Sequence, residues 1–332
     1  MGGAPVTGRV GSNGRATGRW DSVGRGSAWR LGRSGGWGLN ETLDALIRQL
    51  DLEPLEVNLF RGQSRHMGGP RVFGGQVIGQ ALVAAERTVE GRVPHSLHAY
   101  FLLAGDVAAP IIYQVERVRD GRSFSARRVQ AIQHGRPILS MIASFQAPEA
   151  GLEHASPMPD VPPPEALTPS TELHERWLSE ASPVAPRIAE ALRAPSAIEF
   201  RPVEPLSPLR PPPGAPRQAV WFRAVDRIPD DPRLHRCILA YASDFHLVGT
   251  ALRPHGRSWY QRSMIVASID HALWFHRSAR VDEWLLYVMD SPSAQMARGL
   301  ARGLIYDRGG RLVASVAQEG LMREVSEPAA RS

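Results

Sequence analysis

Arg298-Gly-Leu-Ala-Arg-Gly-Leu-Ile-Tyr-Asp-Arg-Gly-Gly-Arg-Leu-Val-Ala-Ser-Val-Ala-Gln318 echoes a stretch that the chain has already used, Arg127-Arg-Val-Gln-Ala-Ile-Gln-His-Gly-Arg-Pro-Ile-Leu-Ser-Met-Ile-Ala-Ser-Phe-Gln146. Both open on Arg, cross a Gly-containing turn followed by Arg, and close on an apolar strand that reaches Gln. The copies differ in length by one residue, and that residue falls in the turn, where an insertion costs least. A repeat of this size implies a duplicated domain, so the chain divides into two halves.

Around the first copy, Asn40 is placed to cap a helix whose apolar stripe is Leu43, Leu46, Ile47 and Leu50. Residues 55–59 alternate as a half-buried strand does. Residues 72–85 are apolar or small nearly all round, which predicts a helix covered on more than one side. Gly74 and Gly75 at its start either let backbone N–H groups approach a ligand or simply make a tight turn. Strands are expected over 95–102, 111–117, 124–133 and 137–145, with His134-Gly135 as a hairpin turn. A helix followed by a run of antiparallel strands is an α+β arrangement.

The second half follows the same plan. Residues 198–200 alternate like 55–57, and 219–223 add a strand with no evident counterpart. A single buried helix is expected over 234–252, then strands over 264–275, 283–289, 297–306 and 312–322. Four segments result: a Gly/Arg/Ser-rich tail over 1–38, expected to be disordered; a first domain over 39–147; a Pro-rich linker over 148–196; and a second domain over 197–325.

Composition excludes several functions. The net charge of +6 comes from arginines spread along the chain, with no Lys, rather than from a basic face interleaved with aromatics; no nucleic-acid partner is expected. Lone Cys237 in an apolar run permits neither a disulfide framework nor a Cys-rich metal site, and fits a reducing compartment. No apolar run approaches the ~20 residues that span a membrane. Gly121-Arg-Ser-Phe-Ser125 lacks the closing Gly of a nucleophile elbow. His271 and His276, five apart in an expected strand, should face opposite sides, so no metal or other cofactor is expected.

What remains is polar residues in apolar elements of the second half. Asp244 lies beside Phe245 on the expected buried helix, where a carboxylate is costly unless it is paired, capping or used. Ser268 sits in Ile265-Val-Ala-Ser-Ile269, and Gln318 closes the repeated strand.

These residues carry a family resemblance. Val72-Phe-Gly-Gly-Gln-Val-Ile-Gly-Gln80, His98-Ala-Tyr-Phe101, Gly121-Arg-Ser-Phe-Ser-Ala-Arg-Arg128 and Ser144-Phe-Gln-Ala-Pro148 recur in the first half. Ser243-Asp-Phe245, Ser268-Ile-Asp-His-Ala-Leu-Trp-Phe-His276, Glu283-Trp-Leu-Leu-Tyr287 and Gln318-Glu-Gly320 recur in the second. In order and in both halves, they resemble the acyl-CoA thioesterase II family, the bacterial TesB type and its peroxisomal relatives, built as a double hotdog. The resemblance implies hydrolysis of medium- to long-chain acyl-CoA by a catalytic trio falling on Asp244, Ser268 and Gln318. Ser268 stands where bacterial members usually carry Thr, so the hydroxyl survives without the β-methyl that restricts χ1. Gly74, Gly75 and Gln76 are candidate substrate contacts, and Arg122, Arg127 and Arg128 are candidates for the CoA phosphates, with solvated edge-strand charge as the alternative. The first-half helix offers Gln76 and Gln80 but no carboxylate, which implies one active site per chain. A homodimer or homotetramer is expected by resemblance, and a cytoplasmic location because the chain closes on Ala330-Arg-Ser332 rather than a peroxisomal tripeptide. The alternatives are a hotdog enoyl-CoA hydratase and a non-catalytic acyl-CoA binding protein.

Overall fold

A computed structural model describes Gly2 and residues 40–65, 71–181 and 183–325; the expected disordered tail lies, Gly2 apart, outside the described residues. From Asn40 onward the described residues belong to one compact unit. Among the described residues, no helix is long and apolar enough to cross a membrane.

Helix α1 (Glu41–Leu50) starts where Asn40 caps it, its side chain accepting the Thr42 N–H at 3.0 Å, and buries Leu43, Leu46, Ile47 and Leu50. The alternating run at 55–59 is not one strand. It is the turn of a hairpin between β1 (Glu53–Glu56) and β2 (Leu59–Gly62), with Asn58 in the left-handed region at φ 62°. Asn tolerates that conformation, and alternation alone did not reveal it. Helix α2 (Gly74–Glu86) is buried almost throughout. Strands β3 (Val93–Phe101), β4 (Ile111–Asp120), β5 (Phe124–Gln133) and β6 (Arg136–Gln146) follow. His134 and Gly135 both have positive φ, the geometry that a two-residue hairpin needs.

The Pro-rich stretch is a cover rather than a spacer. It carries α3 (Ser170–Glu180) and α4 (Pro186–Arg193), and leads to β7 (Ile198–Pro202) and β8 (Arg217–Ala224). Met158, Val161 and Leu167 pack on a core of Trp221, Trp284, Leu286, Tyr306 and Leu312. Trp221 Nε1 donates to the Pro162 carbonyl at 2.9 Å, and Tyr306 Oη to that of Pro157 at 3.2 Å. Proline carbonyls are free acceptors, so this chain satisfies buried donors that a flexible linker would leave unpaired.

The second half then places α5 (Pro232–Ser243), α6 (Leu247–Leu252), β9 (Met264–Ser268), β10 (Asp270–Phe275), β11 (Leu285–Gln295), β12 (Arg298–Asp307) and β13 (Leu312–Glu324). All the strands form one 13-stranded antiparallel sheet in the order β1-β2-β4-β5-β6-β3-β10-β13-β12-β11-β8-β7, with β9 also on β13. The order is a mirror image about the β3–β10 seam. The sequence repeat is β5–β6 against β12–β13, and β8, which had no evident counterpart, occupies the place of β2. The seam joins the halves through pairs such as Ala272 with His98.

Two expected elements are broken. The single helix over 234–252 stops at Asp244 and resumes after His246, whose φ of 70° turns the chain out of the helix. The single strand over 264–275 splits at Ile269. Ser268 pairs with Gly320 and Ala272 with Ala317, so four steps on one side face three on the other, the signature of a bulge. The Asp270 carboxylate holds it by accepting the Glu319 N–H at 2.6 Å.

Helices α2 and α5 cross at glycines. A Cβ on Gly75 would collide with the Tyr241 carbonyl oxygen, and one on Gly79 would lie 3.2 Å from that of Cys237. Gly75→Ala is therefore expected to lose about 1–3 kcal/mol, the usual cost of overpacking, seen as a lower urea midpoint. Gly151→Ala, where a Cβ meets nothing within 4 Å, should leave the midpoint unchanged.

Candidate active site

The break after α5 makes Asp244 the C-cap residue, and its side chain, 4 % exposed, turns towards the first turn of α2. One carboxylate oxygen, Oδ2, lies 2.7 Å from where a Gly74 Cβ would stand, and the Gly75 N–H faces the same carboxylate. Only glycine at 74 leaves that space open, and a helix N-terminus suits an anion.

From the sheet side comes Gln318 on β13, 1 % exposed. Its Nε2 donates to Asp244 Oδ1 at 2.5 Å and to Ser268 Oγ at 3.1 Å, and lies 3.3 Å from His271 Nδ1. Ser268 and His271 are three apart and would face opposite sides of a regular strand; the bulge between them turns both towards Gln318. The other ring nitrogen, His271 Nε2, is 2.9 Å from Ser243 Oγ. Tyr287 Oη donates to the Ser243 carbonyl at 2.9 Å. Phe73, Tyr241 and Phe245 stack around the carboxylate's helix end, with the Phe73 ring 5.3 Å from Tyr241 and 4.5 Å from Phe245.

Burial pushes the Asp244 pKa up to about 7, against the lowering effects of the Gln318 amide and the Gly75 N–H. Among the described residues, no arginine pairs with it; the nearest cationic partner by type is His271 Nδ1 at 3.7 Å. Burial pushes His271 itself down to about 3, so the ring is neutral. Asp244 is thus neither salt-bridged nor exposed. A carboxyl with this pKa beside a hydroxyl and an amide is suited to take a proton near neutral pH.

Of the other expected site residues, Gly74 and Gly75 lie against Asp244 and the rest lie elsewhere. Gln76 is fully buried, and its Nε2 donates to the Gln63 carbonyl at 3.2 Å and to Gln80 Oε1 at 3.3 Å, tying α2 to the segment after β2. Gly75 has its N–H on Asp244, which leaves Gly74 as the amide of that pair without this engagement. Arg127 does not face a ligand. It is 1 % exposed, and its five N–H groups go to Thr88 Oγ1, the Thr88, Arg119 and Ala126 carbonyls, and Asp120. It fills the C-terminal end of α2, where a buried guanidinium is stable only when every donor is matched. Arg128 is exposed and paired with Glu116 at 2.9 Å, and Arg122 is exposed. His276, as expected, faces away from His271 and is exposed.

Ser243 is a site residue that the sequence reading did not single out, and His271 was weighed there only as a metal ligand. Both lie inside the quoted motifs, Ser243 next to Asp244 and His271 three residues after Ser268.

Residues 196–321 match the family model described as acyl-CoA thioesterase, and residues 63–146 match the acyl-CoA thioesterase N-terminal domain. The chain belongs to the acyl-CoA thioesterase family. It is 42% identical over 294 residues to acyl-CoA thioesterase 2 of Haemophilus influenzae, covering 86% of this chain and 99% of that protein. Human acyl-coenzyme A thioesterase 8 is 44% identical over 291 residues, covering 84% and 89%. Among solved structures, an acyl-CoA thioesterase II from Mycobacterium marinum superposes with a TM-score of 0.69 at 44% identity, covering 85% of this chain and 100% of that one. A hot dog fold protein from Alicyclobacillus acidocaldarius, at 19% identity, superposes with a TM-score of 0.67, which supports the fold alone. The expected α+β hotdog architecture is borne out.

The raised pKa of Asp244 has a stability consequence. The unfolded chain releases this proton near 3.8 and the folded chain near 7. Between those values the folded state holds the extra proton, so the contribution present below 3.8 is lost as pH rises through about 7. Asp244→Asn cannot ionise. Its melting temperature is expected to exceed that of the wild type by more at pH 8 than at pH 5, measured by circular dichroism.

Proposed function

We propose that this chain hydrolyses medium- to long-chain acyl-CoA to fatty acid and CoA, with Asp244 as general base. The observation that carries this reading is the convergence of Asp244, Ser268 and Gln318, from three separate elements, on one amide nitrogen. A thioester has a polarised carbonyl and a good thiolate leaving group, so a positioned water attacks without a covalent enzyme intermediate. Asp244 takes the proton of that water as its oxygen bonds to the carbonyl carbon, and the C–S bond then breaks to release CoA thiolate. Ser268 and Gln318 orient the water, supplying part of the advantage of fixed geometry. The growing charge on the carbonyl oxygen calls for N–H donors, and Gly74 at the start of α2 is the candidate.

The tandem hotdog halves over 39–147 and 197–325 supply this site unequally: the second half brings the reacting side chains and the first brings the α2 N-terminus. Exposed Arg122, and Arg128 when it leaves Glu116, are the proposed contacts for CoA phosphates. A cytoplasmic homodimer or homotetramer is the proposed working form, which light scattering on the purified protein checks.

Thiol release from a series of acyl-CoA chain lengths tests the substrate. Asp244→Ala is expected to lose about 10²–10⁴-fold in kcat while the fold persists. In the wild type, kcat/KM should rise with pH and level off above about 7, as the Asp244 carboxylate forms. A folded Asp244→Ala protein at full rate would remove the mechanism. Loss of enoyl absorbance from crotonyl-CoA without thiol release would favour hydration instead.

A further inference from the structure

The Gln318 amide has two faces, and only one of them serves Asp244. With Nε2 inward, it donates to Asp244 Oδ1, while its Oε1 is buried without a partner among the described residues. Rotating the amide by half a turn would set Oε1 against the carboxylate and place Nε2 where Oε1 now lies. Something must hold the first arrangement.

The hydrogen bonds behind Gln318 supply the answer. Ser243 Oγ donates to the Ala240 carbonyl at 2.9 Å, as a hydroxyl at the end of a helix readily does. Its single proton is then engaged, so at 2.9 Å from His271 Nε2 its oxygen accepts, and the ring carries its proton on Nε2. A neutral ring protonated there presents a lone pair at Nδ1, 3.3 Å from Gln318 Nε2. Of the two Nε2 hydrogens, one goes to Asp244 Oδ1 and the other is shared between Ser268 Oγ at 3.1 Å and this lone pair, which would repel an amide oxygen.

We propose that His271 is a positioning residue: anchored to the α5 backbone through Ser243, it fixes the Gln318 amide with its N–H face on Asp244 and Ser268. The inference rests on the hydrolytic reading for its kinetic readout. The amide N–H favours the charged carboxylate, whereas a rotated Oε1 would favour Asp244 protonated, donating to it. His271 therefore sets where the acidic limb of the reaction falls, without touching substrate. The titratable groups facing Asp244 are His271 from β10, Tyr241 from α5 and Tyr287 from β11; α2 and β13 contribute the Gly75 N–H and the Gln318 amide. Burial pushes both tyrosines upward, out of the working range.

The test compares His271→Leu, which removes both ring nitrogens, with His271→Asn, whose Oδ1 stands near the position of Nδ1. For His271→Leu, kcat should fall about tenfold to a hundredfold with KM nearly unchanged, as for a misplaced catalytic group. Its acidic limb should move up by about one pH unit. His271→Asn should bring both back towards the wild type. Equal losses in the two variants with the limb unmoved, or no loss in either, would overturn the proposal. If His271→Leu does not fold, Ser243→Ala releases the tautomer while keeping the ring; an unshifted limb there would overturn it equally. A carboxyl ¹³C NMR titration of Asp244 in wild type and His271→Leu asks the same question without turnover. If the wild type releases no thiol, the hydrolytic reading fails, and the titration still decides whether His271 controls the Asp244 proton.

Discussion

The distance between helices α2 and α5 governs the rest of the molecule. Gly75 and Gly79 let the two backbones approach until a methyl group no longer fits, with the Tyr241 carbonyl against one and the Cys237 carbonyl against the other. At that separation, the Asp244 end of α5 reaches the N-terminus of α2, and a carboxylate from one half of the chain meets the backbone N–H of the other. A side chain at position 75 would push the helices apart and carry Asp244 away from both the amide and the dipole that stabilise its charge. The mirrored sheet supplies the frame for this approach, because the β3–β10 seam puts the two helix-bearing halves side by side.

Two irregularities then gather the chemistry. Left-handed His246 stops the helix at Asp244, so the carboxylate sits at a helix end rather than on an uninterrupted face. The bulge at Ile269 turns Ser268 and His271 to the same side, where Gln318 meets both. His246 follows Asp244 by two residues and Ile269 lies between Ser268 and His271, so both departures from regular geometry border the polar cluster. The Ile269 N–H and carbonyl both stay hydrogen-bonded. Irregularity is where a scaffold of repeating elements can point several side chains at one place.

The halves share a plan and differ in what occupies the ends of their central helices. At the end of α5 stands Asp244, its pKa raised because burial is only partly offset by two hydrogen bonds. At the end of α2, Arg127 lies fully enclosed with all its donors matched, beside Thr88 and Asp120. One end keeps a titratable group poised near neutrality, and the other is closed by a buried guanidinium whose N–H groups are all engaged. The amides of Gln76 and Gln80 complete the contrast. They bind one another and the carbonyls of Gln63 and Gln49, so they hold the first half together, and among the described residues neither bonds a carboxylate.

The duplicated strand pair, the apolar face of α1, the cover on α2 and the order of β3 to β6 were legible in the chain because periodicity and turn residues act locally. The residues of the trio were legible only through motifs, since no spacing in the sequence shows that Asp244, Ser268 and Gln318 meet. Local rules were overridden in two places: Asn58 hid a hairpin in an alternating run, and Arg127, a candidate for the CoA phosphates or solvated edge charge, is buried and fully bonded. Sequence alone singled out Asp244, Ser268 and Gln318 as polar residues in apolar elements and revealed the repeat that divides the chain. Tertiary structure decided which groups met and which proton each would hold, because bulge geometry, helix approach and burial depend on partners far away in the chain.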